Sequence, residues 1–308
     1  MLTGETIPFK KVELTDKIWI DKYLAMSNYN GCEYSFGNIF LWSTTHNFQV
    51  ADYFNCLIIK TTINGKAMHY YPAGFGDFKE VIQKLAKDGF QNGHPLVFGN
   101  VTREHRAQLD KMYPNAFAYH EVREATDYIY SREKLVSLKG KKYHGKRNHI
   151  NRFKDNPNWA FEMMTPNNIN ECSKMSTIWN DIRFGDAVVP KDDSLEGDIC
   201  AIKLSFKHFE PLGFEGGVLR QDGSVIAFTI GERLNSNTYV IHIEKAFHHI
   251  QGAYPMINQQ FAQHLPLDIE YINREEDLGI ESLRYSKMSY YPEILLTKYT
   301  ATLKGNIL

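Results

Sequence analysis

The stretch from Gly213 to Asn273 constrains this chain more than any other. Gly217–Gln221, Val225–Leu234 and Thr238–Glu244 are rich in β-forming residues, with tight turns at Asp222-Gly223 and Asn235–Asn237 between them, so they pair as antiparallel neighbours. A helical pattern, Gly252–His264, then leads to another β-rich run, Leu267–Asn273. A helix crossover returns the chain in the same direction, which makes Thr238–Glu244 and Leu267–Asn273 parallel neighbours. A helix over Leu278–Met288 and a last strand, Glu293–Thr302, complete the order β-β-β-α-β-α-β. Two helical segments precede it, one opened by Thr165-Pro166 and running through Trp179, the other over Asp198–Phe209. The polar connection Gly185–Gly197 between them is a loop or lid candidate.

The first half repeats part of this order less clearly. A lead-in helix follows Leu14-Thr15-Asp16, and an aromatic run, Tyr34–Trp42, comes next. Strands at Phe48–Tyr53, Cys56–Thr62 and Met68–Tyr71 precede a helix over Phe78–Ala86, a strand at Pro95–Gly99 and a helix over Thr102–Met112. Asp127–Tyr130 is one more short strand, and Trp159–Met163 another. The 308 residues suit two domains. We expect an α/β (α+β) chain with an N-terminal domain over 1–125, a basic connecting segment over 126–158, and a C-terminal domain over 159–308.

Composition enters mainly through what it excludes. A formal net charge of −1 implies no polyanionic or polycationic partner by itself. No run approaches the roughly 18 apolar residues of a membrane span, and the first residues lack the apolar core of a secretion signal, so a cytoplasmic location is expected. Cys32, Cys56, Cys172 and Cys200 form no C-x-x-C pair and read as reduced thiols. No Gly-x-Ser-x-Gly elbow or P-loop occurs. His242, Glu244 and the pair His248-His249 lack the spacing of a metal site, so none is expected.

The parallel pair locates the chemistry, because ligands of such sheets bind outside the carboxyl ends of the strands. Those ends are Glu244-Lys245 and Asn273-Arg274-Glu275-Glu276-Asp277. Strict alternation turns Val240, His242 and Glu244 to one side and Tyr239, Ile241 and Ile243 to the other. Glu244 is then either a salt-bridged strand-end carboxylate or the lining of a cleft beside Arg274 and Glu275. Asp277 is placed to cap the next helix, on which Arg284 and Lys287 share a face, solvated or functional. Seven cations lie between Lys139 and Lys154 with no acid among them. That segment is a solvated linker, a polyanion site with salt-dependent affinity, or a site for anionic lipid headgroups.

A resemblance sharpens these alternatives. Glu244-Lys245-Ala246, Asn258, Ile272-Asn-Arg-Glu-Glu-Asp-Leu-Gly279, Leu283-Arg284 and Lys287-Met-Ser-Tyr-Tyr-Pro292 are similar to bacterial proteins related to the soluble C-terminal domain of phosphatidylglycerol lysyltransferases. Tyr128-Ile-Tyr130, Leu138-Lys-Gly-Lys-Lys142 and Lys146-Arg-Asn-His-Ile-Asn-Arg-Phe153 fit the same family. The resemblance implies two tandem GNAT-like (N-acetyltransferase-type) acyltransferase domains, mixed sheets flanked by helices, the first of them degenerate. It implies, as in the similar Fem-type transferases, an aminoacyl-tRNA donor and no separate cofactor. Glu244, Arg274 and Lys287 are then the expected catalytic residues. His242, Lys245, Asn273, Glu275, Arg284 and Tyr290 are expected at the substrate, and Lys139, Lys141, Lys142, Lys146, Arg147 and Arg152 at the tRNA or another polyanion.

The sequence departs from acetyl-CoA enzymes of that fold where they cradle pyrophosphate on a Gly-rich turn. Here the stretch reads His249-Ile-Gln-Gly252-Ala-Tyr254-Pro255, with one glycine, a bulky Tyr254 and a proline that removes a donor. The expected reaction is transfer of an aminoacyl group from aminoacyl-tRNA to an amine or hydroxyl of a small-molecule or lipid acceptor. A CoA-dependent N-acyltransferase and a non-catalytic module binding RNA or anions are the alternatives. The lipid-modifying relatives carry membrane spans ahead of this domain, so an anionic lipid surface is a possible partner rather than an expected one.

Overall fold

The computed structural model describes residues 6–63, 65–184, 193–305 and 307. Most of the loop expected over Gly185–Gly197 therefore lies outside the described residues. The chain forms two units: one holds the chain up to Asp127, Glu276–Arg284 and the chain from Leu295, the other Tyr128–Glu275 and Tyr285–Ile294.

In the first unit the elements run β1 (Lys10–Lys11), α1 (Lys17–Ser27), α2 (Phe36–Trp42), β2 (Gln49–Tyr53), β3 (Cys56–Ile63), β4 (Lys66–Tyr70), β5 (Ala73–Gly74), α3 (Phe78–Gln91), β6 (Val97–Thr102), α4 (Arg103–Met112) and β7 (Phe117–Glu121). Side chains fix the helix starts. Ser35 accepts the Asn38 N–H, Asp77 those of Lys79 and Glu80, and Thr102 that of His105, each satisfying an amide left orphaned by the first turn. The core packs Val81, Ile82 and Leu85 of α3 against Ile58, Phe98 and Val101 of the sheet.

In the second unit the order is β8 (Asp127–Ser131), α5 (Arg132–Ser137), α6 (His144–Lys154), β9 (Trp159–Met163), α7 (Ile169–Phe184), α8 (Asp193–Lys207), α9 (Phe209–Leu212), β10 (Glu215–Gln221), β11 (Ser224–Arg233), β12 (Thr238–Ala246), α10 (Ala253–His264) and β13 (Tyr271–Asn273). Then come α11 (Glu281–Met288), in which the chain passes from the first unit to the second, β14 (Ile294–Leu296) and β15 (Lys298–Leu303). Asp222 and Gly223 both take positive φ, 49° and 79°, between the paired Gln221 and Ser224. That is the two-residue turn whose twist matches antiparallel strands.

The two sheets share one plan. The first runs β1-β2-β3-β4-β6-β15-β7 and the second β9-β10-β11-β12-β13-β8-β14. Each holds a parallel pair at the same place, β4 with β6 and β12 with β13. The unit borders differ from the expected ones for reasons of pairing. Residues 128–158 are part of the second unit: β8 pairs with β13, and Ile150 and Phe153 of α6 pack with Ala253, Met256 and Ile257 of α10. The run expected as one strand over Glu293–Thr302 is two: β14 ends the second sheet, and β15 inserts between β6 and β7 of the first. The chain thus exchanges strands, β8 serving the second sheet and β15 the first, at matching positions.

Candidate active site

The parallel pair of the second sheet opens early. β12 and β13 pair only from Thr238↔Tyr271 to Val240↔Asn273, whereas β12 runs on to Ala246. Beyond Asn273 the chain stays with β8, since the Arg274 N–H donates to the Tyr128 carbonyl and the Tyr128 N–H to the Glu275 carbonyl. On β12 a register shift opposite Ile230/Gly231 inserts one extra residue, His242. Such a bulge bends a strand and turns its later side chains over. The strict alternation expected for this strand therefore fails. Tyr239 meets Phe261, and Glu244, five residues on, accepts from Asn258 Nδ2 at 3.3 Å, both partners lying on α10. On a flat strand those two positions would face opposite ways.

The bulge puts Glu244 in the slot between the parting strands. Arg274 reaches it from the other side, with Nη2 2.7 Å from Glu244 Oε1. The Arg274 guanidinium also lies 5.7 Å from the Tyr130 ring and 5.1 Å from the Tyr290 ring. Its other terminal nitrogen, Nη1, is buried without a hydrogen-bond partner. The two side chains are only 9% and 13% exposed, so the pair works in a site of low dielectric, where its field is strong. Lys146, from α6, sets its ammonium 3.9 Å from the Tyr290 ring centre. Burial, and after it the Arg274 charge, lowers its pKa to about 8.

The matching slot of the first unit is filled differently. At the carboxyl end of β4 stand Tyr70 and Tyr71, and Tyr71 stacks on His105 with centroids 4.5 Å apart. Tyr29 meets both His105 and Tyr34 edge-on. Burial, and after it the Lys298 charge, lowers the His105 pKa to about 3. Rings occupy the place that charges hold in the second unit.

Residues 24–302 match the family described as phosphatidylglycerol lysyltransferase, C-terminal. The chain belongs to that family. A conserved protein of unknown function from Bacteroides thetaiotaomicron is similar over 97% of this chain and 100% of its own, with 38% identity and a TM-score of 0.91. L-PGS from Bacillus licheniformis, 18% identical, matches 94% of this chain and 92% of its own with a TM-score of 0.62, a likeness of fold. An uncharacterised protein of Mycoplasmoides gallisepticum is 27% identical over 183 residues, 57% of this chain, and that match spans about half, 55%, of the relative's length. The two mixed sheets flanked by helices are those of a tandem GNAT-like fold. Among the described residues no helix is long and apolar enough to cross a membrane.

In this phosphatidylglycerol lysyltransferase-family chain the other expected site residues divide into groups. Asn273 and Glu275 shape the turn that carries Arg274: Glu275 takes φ 57°, and its N–H donates to Asn273 Oδ1 at 2.7 Å. Lys287 does not face the slot. Its buried ammonium donates to the carbonyls of Arg274 and Glu275, the second at 3.1 Å, beneath that same turn. His242 is also turned away from Glu244, with its ring nitrogens 3.0 Å from Glu232 Oε1 and 2.8 Å from Glu275 Oε1. Lys245 points to the opposite face, where it pairs with Asp198 at 2.8 Å and covers the Trp179 ring. Arg284 pairs with buried Asp277, which also accepts the Gly279 N–H. Tyr290 lines the slot. Asn258 and Glu232 were not among the expected site residues; only the bulge, invisible in a single sequence, brings them in.

The basic segment is likewise sorted by its surroundings. Arg147 donates to the carbonyls of Leu138 and Gly140, and Lys142 sits 4.8 Å from the Tyr291 ring. Lys139, Lys141 and Arg152 are exposed. The start of α10, where a CoA enzyme of this fold holds pyrophosphate, is covered by α6. Gly252 has φ 86°, and a Cβ there would lie 2.2 Å from the His149 carbonyl oxygen and 2.9 Å from Phe153 Cβ. A carbonyl oxygen repels an anion where the fold would otherwise attract one.

The described residues hold one group of potential metal ligands, Cys32, Glu33 and Asp127 in the first unit, all buried. The positive charge among them is a side chain. Lys298 Nζ lies 2.6 Å from both Glu33 Oε2 and Asp127 Oδ1. Even so, burial pushes the Glu33 carboxyl up to about 7.

Proposed function

We propose that this protein is an acyltransferase that moves an aminoacyl group from the ester of aminoacyl-tRNA to an amine or hydroxyl acceptor. The observation that carries this reading is the Glu244–Arg274 pair spanning the gap that opens where β13 ends and β12 runs on. The ester is already activated, so the reaction needs positioning and proton transfer and no covalent enzyme intermediate. Glu244 accepts the proton of the attacking N–H or O–H as the new bond to the carbonyl carbon forms, then returns it to the 3′-oxygen as the ester C–O bond breaks. Arg274, with an N–H left unpaired in the slot, stabilises the charge that develops on the carbonyl oxygen. Lys287 and Asn273 hold the Arg274 turn.

Two features favour an aminoacyl ester over a CoA thioester. The start of α10 is blocked by the His149 carbonyl, and exposed Lys139, Lys141 and Arg152 offer charge to the phosphates of an RNA. The acceptor is an amine or hydroxyl compound, a lipid headgroup among the candidates. Incubating the protein with a pool of charged tRNAs tests the donor: accelerated loss of one aminoacyl ester supports the reading. Micromolar binding of acetyl-CoA by calorimetry points to a CoA enzyme instead. Salt-dependent RNA binding without any loss of ester points to a non-catalytic module.

A further inference from the structure

The groups around the Arg274 turn form a row of alternating charge. Glu232 on β11 faces His242, the inserted residue of β12, which faces Glu275, the neighbour of Arg274, which in turn grips Glu244. Carboxylates only accept hydrogen bonds. A histidine with a carboxylate on each ring nitrogen must donate from both, and so carries a proton on each. The ring is 2% exposed, and besides the two carboxylates it meets Phe214, the residue before β10, at 5.5 Å. Next to these stand the charges of Arg274, Glu244 and Lys287, the last bonded to the carbonyls of the turn.

The turn needs such support. Glu275 sits at φ 57°, a left-handed conformation that is strained for a non-glycine residue. Its backbone is held by Asn273 and Lys287, and its carboxylate is held by His242. Arg274 is the residue just before it, and its own N–H and carbonyl are held by Tyr128 and Lys287. We infer that His242, as an imidazolium between Glu232 and Glu275, is a positioning residue that sets the aim of Arg274 at Glu244 and does not itself touch substrate. This rests on the reading of Glu244 and Arg274 as the reacting pair. The two carboxylates outweigh the cost of burial and raise the His242 pKa to about 9, so the clasp is closed at neutral pH and opens in alkali.

The test is NMR on the wild-type protein labelled with 15N, following the His242 ring nitrogens and the Arg274 guanidinium together from pH 6 to pH 10. We expect both ring nitrogens protonated at pH 7.5 and one proton lost near pH 9, with the Arg274 signals changing in the same step. Lys146 titrates close by, so Glu232→Gln separates the two. It lowers the His242 midpoint by at least one pH unit, and the Arg274 change must move with it. A neutral His242 at pH 7.5, or Arg274 signals that ignore the His242 midpoint, overturns the inference. In an assay of ester loss, kcat falls above the same midpoint with little change in KM, and Glu232→Gln shifts that fall equally. Coupled titration with no turnover of any donor sinks the proposed reaction while leaving the positional link intact, so the two failures are distinguishable.

Discussion

Lys298 and Asp127 are 171 residues apart in the chain and 2.6 Å apart in space. Asp127 opens β8 and Lys298 opens β15, the two strands that the chain exchanges between its sheets. Glu33 and Cys32 complete the cluster, with Lys298 only 1% exposed. Removing the ammonium strands two buried carboxylates. Lys298→Met is expected to cost about 3–5 kcal/mol in urea unfolding. Adding Asp127→Asn to that variant should recover part of the loss, because one buried charge is then gone.

Lys146 has the opposite sign. Its pKa is lowered in the fold, to about 8 from the ordinary 10.5. The folded state therefore binds fewer protons than the unfolded chain between those values, and stability rises as pH rises from 8 to 10.5. The group is partly exposed, and solvent screening limits the effect to on the order of 1 kcal/mol. NMR of reductively methylated lysines should find one midpoint near 8, and Lys146→Met should remove both that signal and the rise in stability.

Two glycines separate backbone strain from close approach. Gly223 has φ 79° with nothing within 4 Å of an added Cβ, whereas Gly252 has φ 86° and the His149 carbonyl in the way. Gly223→Ala should lose about 1 kcal/mol. Gly252→Ala should lose about 2–4 kcal/mol, because α6 must also move off α10. Thermal or urea unfolding of both variants measures the difference.

Much of this was legible in the chain. Period-two runs, the Asp222-Gly223 turn and one helix between β-rich runs define β10 to β13, and with them the parallel pair. Glu244 and Arg274 at the strand ends follow from that order alone. The rest depends on partners distant in sequence. Nothing local says that 294–296 and 298–303 serve different sheets, since strand membership is decided by β6, β7 and β8. Nothing local marks His242 as an inserted residue, so the alternation misplaced Glu244 relative to it. Lys287 has the charge of a phosphate ligand, but its surroundings are two carbonyls. Sequence carries charge type well and its destination poorly.

The same distinction applies to the basic segment. Lys141 and Arg152 are exposed, while Arg147 donates to the carbonyls of Leu138 and Gly140. Lys141→Glu and Arg152→Glu together should weaken tRNA binding severalfold at moderate salt and flatten its salt dependence. Arg147→Ala should instead lower the unfolding free energy by about 1–3 kcal/mol, with less effect on the salt slope. Filter binding at several salt concentrations, beside urea unfolding, tells them apart.

In the proposed reaction Glu244 is the group that handles the proton in the slot. Its most direct test is the rate of aminoacyl-ester loss from charged tRNA, compared between the wild-type protein and Glu244→Gln at equal tRNA occupancy. Glutamine keeps the size of the side chain and an oxygen for Arg274 but cannot take the proton. Glu244→Gln should lower that rate about 10²- to 10⁴-fold, with tRNA affinity unchanged. A Glu244→Gln protein that turns over at the wild-type rate would contradict it.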